Sequence, residues 1–155
     1  MAMDSLSIES NLDEFRDACR ELGIKATHQR LEIFREVAHS AEHPDAEAVF
    51  RGVQARLPTV SLDTVYRTLK LLTELGLIST LGQRQESLRF DANKAPHHHH
   101  VCIHCGKVQD VSKPLLDLET VIRDVRNLGT VQSAQIEVRG LCTSCASRTT
   151  DTRSV

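Results

Sequence analysis

Apolar residues recur every three or four positions through most of the first eighty residues, which is the spacing of one face of an α-helix. The first such segment carries Leu12, Phe15, Cys19 and Leu22 on one face, and Gly23 follows it as a stop signal. Three further helices are predicted. Thr27 can cap the second helix, whose apolar face extends to Ala38. The third follows the turn over 43–45 and ends at Pro58, and the fourth is capped by Ser61 and ends at Gly76.

A short hairpin is predicted directly after the fourth helix. Residues 77–81 and 88–91 are mainly apolar or alternating, and the segment 82–86 between them is polar. Helices in series followed by a small hairpin are the outline of a winged helix-turn-helix. We therefore expect a DNA-binding domain over residues 1–91.

The second half of the chain has a different pattern. Residues 92–96 are predicted to be a hinge linker, because Pro96 prevents a helix from running through them. The elements predicted after it are strands over 97–101 and 107–111, a helix from Pro114 to Gly129, and a strand over 131–138. This order predicts a small α+β domain over 97–155. Because its core is thin, we expect it to need a metal ion or a partner subunit.

Composition narrows the class of protein. The chain has 155 residues, of which 40% are hydrophobic and 26% charged, values typical of a folded globular protein. No apolar run is long enough to span a membrane or to form a signal peptide, so we expect a cytoplasmic protein without membrane contact. The net charge of −2 by itself gives no reason to expect nucleic acid, so DNA binding must depend on a local basic patch.

The cysteines are paired in a pattern typical of a zinc site. Cys102 and Cys105 form one Cys-x-x-Cys motif, and Cys142 and Cys145 form the other. Four thiolates can bind one tetrahedral Zn²⁺ at about 2.3 Å each. The alternatives are two reducible disulfides or a redox pair, and the redox pair is disfavoured because the first motif lies at a strand turn. Cys19 is predicted to be a buried packing residue.

The histidines indicate a second site of different chemistry. Residues 97–100 are all histidine and lie on a predicted strand, so only His97 with His99, or His98 with His100, can face one site. We expect solvated side chains for the pair that does not. The carboxylates available nearby are those of Asp91 and Asp110. Three histidines, counting His43, with two aspartates would form a nitrogen and oxygen site suited to Fe²⁺ or Mn²⁺.

Several motifs, taken in order, resemble the ferric uptake regulator family from about Gly23 to Cys145. The motifs are His43-Pro44, the segment Ser-Leu-Asp-Thr-Val-Tyr-Arg-Thr-Leu over 61–69, Arg89-Phe90-Asp91, His97-x-His99-x-x-Cys102-x-x-Cys105-Gly106-Lys107-Val108-x-Asp110, and Cys142-x-x-Cys145. Aspartate at positions 91 and 110 is most similar to the peroxide-stress repressors of that family, whereas its iron-uptake regulators typically have glutamate at the position of Asp110.

The resemblance implies a role for each candidate ligand. Cys102, Cys105, Cys142 and Cys145 would bind structural zinc. His43, Asp91, His97, His99 and Asp110 would bind a regulatory Fe²⁺ or Mn²⁺ ion. The family's additional metal site is predicted to be lost, because Pro96 and the region of Ala134 stand where imidazoles would be expected.

The fourth predicted helix is the DNA-reading element. Arg67 can bond guanine edges, Tyr66 can contact a thymine methyl group or a phosphate, and Lys70 and Lys25 can neutralise phosphates. Arg84 in the hairpin turn could reach a neighbouring groove. Between residues 51 and 70 the basic side chains outnumber the single acid, Asp63. A homodimer would place two such helices one DNA turn apart on a palindromic operator.

The expected activity is regulation and not catalysis. The resemblance to peroxide repressors implies that bound Fe²⁺ promotes oxidation of His43 or His97 by hydrogen peroxide, after which metal and DNA are released. No small-molecule substrate other than peroxide is expected. The alternative within the family is a regulator that responds to the Fe²⁺ level alone. A zinc deaminase is disfavoured because no glutamate lies between Arg89 and Leu118, and a metal-binding module without DNA would leave the fourth helix unexplained.

Overall fold

The computed structural model describes residues 5–82, 88–95, 97–112, 117–130 and 134–151. Contacts within the chain divide it into two compact units, Met1–Lys94 and Ala95–Val155. We describe each unit by itself. The part of the chain that the structure describes has no helix long and apolar enough to cross a membrane.

The first unit consists of four helices followed by a two-stranded hairpin. The elements are α1 (Ser5–Glu21), α2 (His28–His39), α3 (Ala46–Gln54), α4 (Leu62–Glu74), β1 (Ser79–Leu81) and β2 (Arg89–Asp91). Thr27, Asp45 and Ser61 cap α2, α3 and α4, because each side-chain oxygen accepts from a backbone N–H in the first turn. The caps Thr27 and Ser61 confirm the predicted ones, and Asp45, predicted to lie in the turn before the third helix, is the cap of α3. The third helix ends at Gln54, before the predicted stop at Pro58.

The core of the first unit is built from the apolar faces of its helices. Leu12, Phe15, Phe34, Val49 and Leu69 are almost completely buried and belong to one cluster. Cys19 belongs to the same cluster, which confirms its role in packing.

Leu22 is 58% exposed, so its predicted place on the apolar face was wrong. The chain leaves the helix there, since α1 ends at Glu21 and Gly23 adopts φ +67°.

The hairpin of the first unit is the wing of the predicted winged helix. β1 and β2 pair antiparallel, with Ser79 opposite Asp91 and Leu81 opposite Arg89. Leu77 N donates to Leu72 O at 2.9 Å just after α4, where Gly76 adopts φ +66°. This left-handed glycine turns the chain from the helix into the hairpin. The predicted contact residue Arg84 lies outside the described residues.

The second unit contains a three-stranded sheet and two helices. The elements are β3 (His98–Cys102), β4 (Val108–Val111), α5 (Leu118–Val125), a short 3-10 helix (Arg126–Leu128), β5 (Glu137–Gly140) and α6 (Thr143–Asp151). The strand order is β4-β3-β5, with β3 antiparallel to β4 and parallel to β5.

Two predicted elements of the second unit differ from the structure within the described residues. Residues 131–133 of the predicted strand lie outside the described residues, 134–136 are not in a strand, and β5 extends over Glu137–Gly140, because its partner β3 pairs with it only from His99 to Cys102. The predicted helix start at Pro114 also lies outside the described residues; α5 is described from Leu118, where the Asp117 carboxylate accepts from Glu119 N. Helix α6 was not predicted.

The second unit has few buried apolar side chains. Those described include Val101, Val108 and the cysteines 102, 142 and 145. The apolar residues of α5 contribute little to this core, since Val121 and Ile122 are each 38% exposed. This agrees with the expectation that the unit needs a metal ion or a partner to stabilise it.

Candidate metal centres and nucleic-acid surface

The two Cys-x-x-Cys motifs of the second unit converge on one point. Cys102 ends β3 and Cys105 lies in the following turn, whereas Cys142 and Cys145 lie just before and within the start of α6. Their four Sγ atoms all lie within 4.8 Å of one another. A tetrahedron with Zn–S bonds of about 2.3 Å requires S–S separations of about 3.8 Å, and Cys105 Sγ lies 3.8 Å from Cys142 Sγ.

The backbone fixes this convergence. Gly106, which adopts φ +69°, donates its N–H to Cys102 O at 2.9 Å and closes the first knuckle. Ile103 N donates to Gly140 O at 2.8 Å, which joins the first knuckle to the end of β5, two residues before Cys142. None of the five cysteines forms a disulfide in the structure. The cluster of four cysteines therefore fits one tetrahedral metal ion, and its all-sulfur donor set favours zinc.

The thiols of the cluster differ in acidity. The N–H groups of Cys142 and Cys105 donate to the sulfur of Cys102 and lower its pKa to about 5. Donation from Arg148 is the largest single influence on Cys145 and lowers its pKa, but burial and the neighbouring cysteine sulfurs together raise it to about 11. Four thiolates repel one another without a cation among them, so metal binding must displace protons.

The first unit holds one histidine and one aspartate together. His43 Nε2 lies 3.9 Å from Asp91 Oδ2, and both side chains are buried. His43 adopts φ +50°, a left-handed conformation that is uncommon outside glycine. Such a conformation persists only when its surroundings hold it, so the loop before α3 is specifically shaped to place this imidazole.

Arg89 holds that loop, a role that sequence reasoning missed. Its Nη1 donates to the backbone carbonyl of His43 at 3.1 Å. One residue further along each segment, Phe90 N donates to Pro44 O at 3.0 Å. The signal in the sequence is that Arg89 and Asp91 are two residues apart on one strand. Side chains at this spacing point to the same face, so the residue that contacts the loop and the carboxylate lie side by side.

The second unit brings two histidines to one carboxylate. His97 Nε2 and His99 Nε2 lie 3.8 and 3.7 Å from Asp110 Oδ1. His97 Nδ1 lies 2.7 Å from the carbonyl of Ala95. Because a carbonyl only accepts, Nδ1 must carry the proton, and Nε2 keeps its lone pair for a metal ion.

His98 and His100 are on the opposite face of β3 from His99, because successive side chains of a strand alternate between its two faces. His98 is opposite Val111 and His100 is opposite Gln109, whereas His99 is opposite Asp110. His98 is only 3% exposed. The expectation that its side chain is solvated was therefore wrong.

Each unit thus supplies imidazole nitrogens and carboxylate oxygens without a thiolate. The first unit offers His43 with Asp91, and the second offers His97 and His99 with Asp110. Nitrogen and oxygen donors of this kind suit Fe²⁺ and Mn²⁺ better than the four soft thiolates of the cysteine cluster do.

Helix α4 presents the predicted DNA-reading residues to solvent. Tyr66 is 51% exposed, and the side chains of Arg67 and Lys70 are 81% and 78% exposed. Val65, Leu69 and Leu72 are buried on the opposite face. Arg67 and Lys70 each contact an acid one turn away, and exposed pairs of this kind are weak enough to exchange for phosphate or base contacts. Lys25 is exposed in the turn before α2.

The basic patch is smaller than the sequence predicted. Arg56 Nη2 lies 2.7 Å from Glu36 Oε2, and Arg56 Nε lies 3.3 Å from Glu32 Oε2. Both acids are on α2 and therefore outside the window 51–70 used to count charges. Arg56 is paired with two acids of α2 and is therefore not a free cation for DNA.

Comparisons with known proteins agree with this architecture. A model described as the ferric uptake regulator family matches residues 21–139. The peroxide-responsive repressor PerR of Staphylococcus epidermidis is 31% identical over 146 residues, covering 94% of this chain and 97% of that protein.

Two solved structures are also similar. The ferric uptake regulator Fur of Helicobacter pylori has a TM-score of 0.77 at 24% identity, covering 94% of this chain and 97% of that one. PerR of Streptococcus pyogenes has a TM-score of 0.50 at 27% identity, covering 94% and 95%.

A winged-helix unit followed by an α+β unit with two kinds of metal-ligating group defines a metal-responsive transcriptional regulator. The chain belongs to the ferric uptake regulator family. Its members are transcriptional regulators and not enzymes. The four helices and hairpin of the first unit have the predicted winged-helix fold, and the second unit has the predicted α+β fold.

Proposed function

We propose that this protein is a metal-dependent transcriptional repressor that senses hydrogen peroxide by oxidation of its own histidines. The observation that carries the proposal is the pairing of His99 and His97 with the short carboxylate of Asp110. Aspartate at positions 91 and 110 supports the peroxide branch of the family, and so does the similarity to PerR of Staphylococcus epidermidis.

The regulatory ion is bound by residues of both units. His43 and Asp91 come from the first unit, and His97, His99 and Asp110 from the second. An ion with ligands in both units stabilises only the arrangement in which all ligands reach it, so it shifts the conformational equilibrium toward that arrangement. A shift from mostly open to mostly closed requires about 5.5 kcal/mol of differential binding, which a site of five ligands can supply.

The structural ion is zinc, bound by Cys102, Cys105, Cys142 and Cys145. Its role is to stabilise the second unit, whose described apolar core is small. Zinc is redox-inert, so it does not respond to peroxide.

Peroxide sensing then occurs at the imidazoles. A bound Fe²⁺ would supply the redox chemistry that activates hydrogen peroxide, with no net change in its own oxidation state. An imidazole C–H of His43 or His97 gains one oxygen atom, and the other oxygen of peroxide leaves as water. The oxidised ring is a poorer nitrogen donor, so His43 or His97 would no longer hold the ion, and the two units would no longer be held in the DNA-binding arrangement. Mn²⁺ in the same site would maintain repression without this sensitivity.

The DNA partner is a double-stranded palindromic operator. Tyr66 and Arg67 of α4 read base edges, Lys70 and Lys25 neutralise phosphates, and Arg84 extends the contact. The protein binds as a homodimer through the second unit. The exposed Val121 and Ile122 of α5 and the edge strand β5 support this interface, because apolar groups and unpaired strand edges favour association.

The decisive experiment compares the Fe²⁺ and Mn²⁺ forms of anaerobically purified protein. Each form is bound to a palindromic AT-rich duplex, treated with peroxide, and followed by gel shift and by peptide mass spectrometry. We expect DNA release and one added oxygen atom on His43 or His97 in the Fe²⁺ form alone. His39→Ala is a matched control for His43→Ala, because His39 is an exposed helix-end residue.

Two results would reject the proposal. Fe²⁺-dependent DNA binding that persists after peroxide would identify a regulator of iron homeostasis that responds to the Fe²⁺ level alone. Metal-independent DNA binding would reject the regulatory site itself.

A further inference from the structure

Cys145 has surroundings that differ from those of the other cluster thiols. Arg148 Nη2 donates to Cys145 Sγ at 3.1 Å, and His104 Nδ1 lies 3.6 Å from the same sulfur. Cys102 Sγ instead accepts from the backbone N–H of Cys142 at 3.3 Å. A guanidinium is always charged in proteins, so its contact to sulfur is a permanent charge-assisted hydrogen bond.

Helix α6 sets this contact. Cys145 and Arg148 are three residues apart on α6 and therefore lie on one face. The N–H groups of Cys145 and Ala146 donate to Cys142 O at 3.0 and 2.9 Å, so the second knuckle is continuous with the first turn of the helix. One helical turn thus carries a metal ligand and the cation beside it.

The contact between Arg148 and Cys145 matters because of the net charge of a zinc centre with four thiolates. Zn²⁺ with four thiolates carries two net negative charges, which a cation at hydrogen-bond distance partly offsets. We propose that Arg148 is a positioning residue of the zinc centre, which holds the Cys145 thiolate and slows zinc release by making Cys145 the last ligand to dissociate. This inference rests on zinc binding by the cysteine cluster, as proposed above.

Exposure of the thiols shows which one is reached first, and the contact with Arg148, rather than burial, distinguishes Cys145 from Cys102, which is 1% exposed. Cys105 is exposed, whereas Cys145 is only 2% exposed and has the guanidinium beside it. A chelator or an electrophile therefore reaches the cluster first at Cys105. Cys145 remains on the ion after that first ligand is lost.

The test uses full-length, zinc-loaded protein. Arg148→Gln removes the charge but keeps a side chain that favours helix, and Arg148→Lys keeps the charge but not the planar fork. Arg123→Gln is the matched control, because Arg123 is exposed on α5 and contacts Thr120. Zinc release to excess chelator is timed with a coloured reporter. Alkylation of each cysteine by N-ethylmaleimide is followed by mass spectrometry.

We expect Arg148→Gln to release zinc roughly tenfold faster, the lower end of the effect of outer-shell partners because Arg148 is exposed. Cys145 should no longer be the last of the four cluster cysteines to be alkylated. Arg148→Lys should fall between the wild type and Arg148→Gln, and Arg123→Gln should match the wild type.

Three outcomes would overturn the inference. Release rates and alkylation order unchanged in Arg148→Gln would show that the guanidinium does not hold Cys145. An equal acceleration in Arg123→Gln would show a general effect of charge. Wild-type protein that retains no zinc would reject the zinc site itself, which the initial metal content distinguishes from a failure of Arg148 alone.

Discussion

His99 and Asp110 are directly opposite each other in the antiparallel pairing of β3 with β4, and His99 Nε2 lies 3.7 Å from Asp110 Oδ1. His97 Nε2 lies 3.8 Å from the same oxygen. One carboxylate therefore faces two imidazoles across the strand pair. The length of its side chain determines how its oxygen approaches a metal ion bound by those rings.

Asp110→Glu tests whether that length controls the response to peroxide. The charge is unchanged, so metal-dependent DNA binding should remain largely intact. The added methylene alters how the carboxylate reaches the ion and hence the open position that peroxide must approach. We expect repression with Fe²⁺ but weak oxidation of His43 and His97, measured by peptide mass spectrometry after peroxide treatment.

Asp117→Glu provides the same substitution at an exposed helix cap, where the response to peroxide should be unchanged. Equal histidine oxidation and equal DNA release in wild type and Asp110→Glu would remove the main support for assignment to the peroxide branch.

Arg89→Gln tests the support of the His43 loop. The wild-type guanidinium donates to the carbonyl of a residue in a left-handed conformation. Without that donor the imidazole should be less well positioned, and Mn²⁺ affinity should fall about tenfold, as for other outer-shell partners. Isothermal titration with Mn²⁺ measures the change, and the zinc content should stay constant.

Arg30→Gln is a matched control in the same unit, because Arg30 Nη1 donates to the carbonyl of Lys25 at 2.7 Å. Mn²⁺ affinity in Arg89→Gln equal to that of Arg30→Gln would mean that the loop needs no such support.

Cys142→Ser tests the structural role of the cysteine cluster. The second unit should lose its zinc, and the protein should unfold there or become monomeric, because metal binding free energy is part of the folding free energy of a small domain. Metal analysis and analytical ultracentrifugation measure both effects. Cys19→Ser should keep its zinc, since Cys19 is in the core of the first unit. A stable dimer with full zinc content in Cys142→Ser would contradict the prediction.

Arg67→Ala separates base reading from phosphate contact. Loss of a bidentate base contact should weaken binding to the specific operator by roughly 1–3 kcal/mol. Lys25→Ala should instead weaken specific and random DNA similarly and reduce the salt dependence of binding. Fluorescence anisotropy at several salt concentrations measures both. Equal losses on specific and random duplexes for Arg67→Ala would refute base reading by this residue.

Ile122→Asp tests the proposed dimer surface. A charge on the exposed apolar face of α5 should weaken association, because burying an unpaired carboxylate in an interface is costly. Sedimentation equilibrium measures the dimer dissociation constant. Asn127→Asp adds a charge at an exposed polar position and should change it little. An unchanged constant for Ile122→Asp would place the interface elsewhere.

The starts of α2 and α4 were predictable because helix signals are local. Thr27 and Ser61 cap the helices that follow them, and each cap involves contacts only three residues apart. The end of β5 was not predictable in the same way. Strand length depends on the partner strand, and β3 pairs with it from His99 to Cys102 only.

The ligands were identifiable for a related reason. The chemistry of cysteine, histidine and aspartate is intrinsic to each residue, and Cys-x-x-Cys spacing ensures that two thiols meet in one turn. The alternation of a strand also excluded a joint role for His98 and His99. Whether His97 and His99 face a carboxylate depends on the register between β3 and β4. That register places His99 opposite Asp110, which is eleven positions away in the sequence.

The sequence by itself determined the helices of the first unit, the two donor sets and the resemblance to one family, because these follow from local spacing and residue chemistry. Tertiary structure alone decided which charges remain available and which side chains hold the ligands. Arg56 is neutralised by acids of α2, and Arg89 supports the His43 loop. The physical reason is that an ion pair or hydrogen bond depends on distance in space, and these two contacts join residues 20 and 46 positions apart.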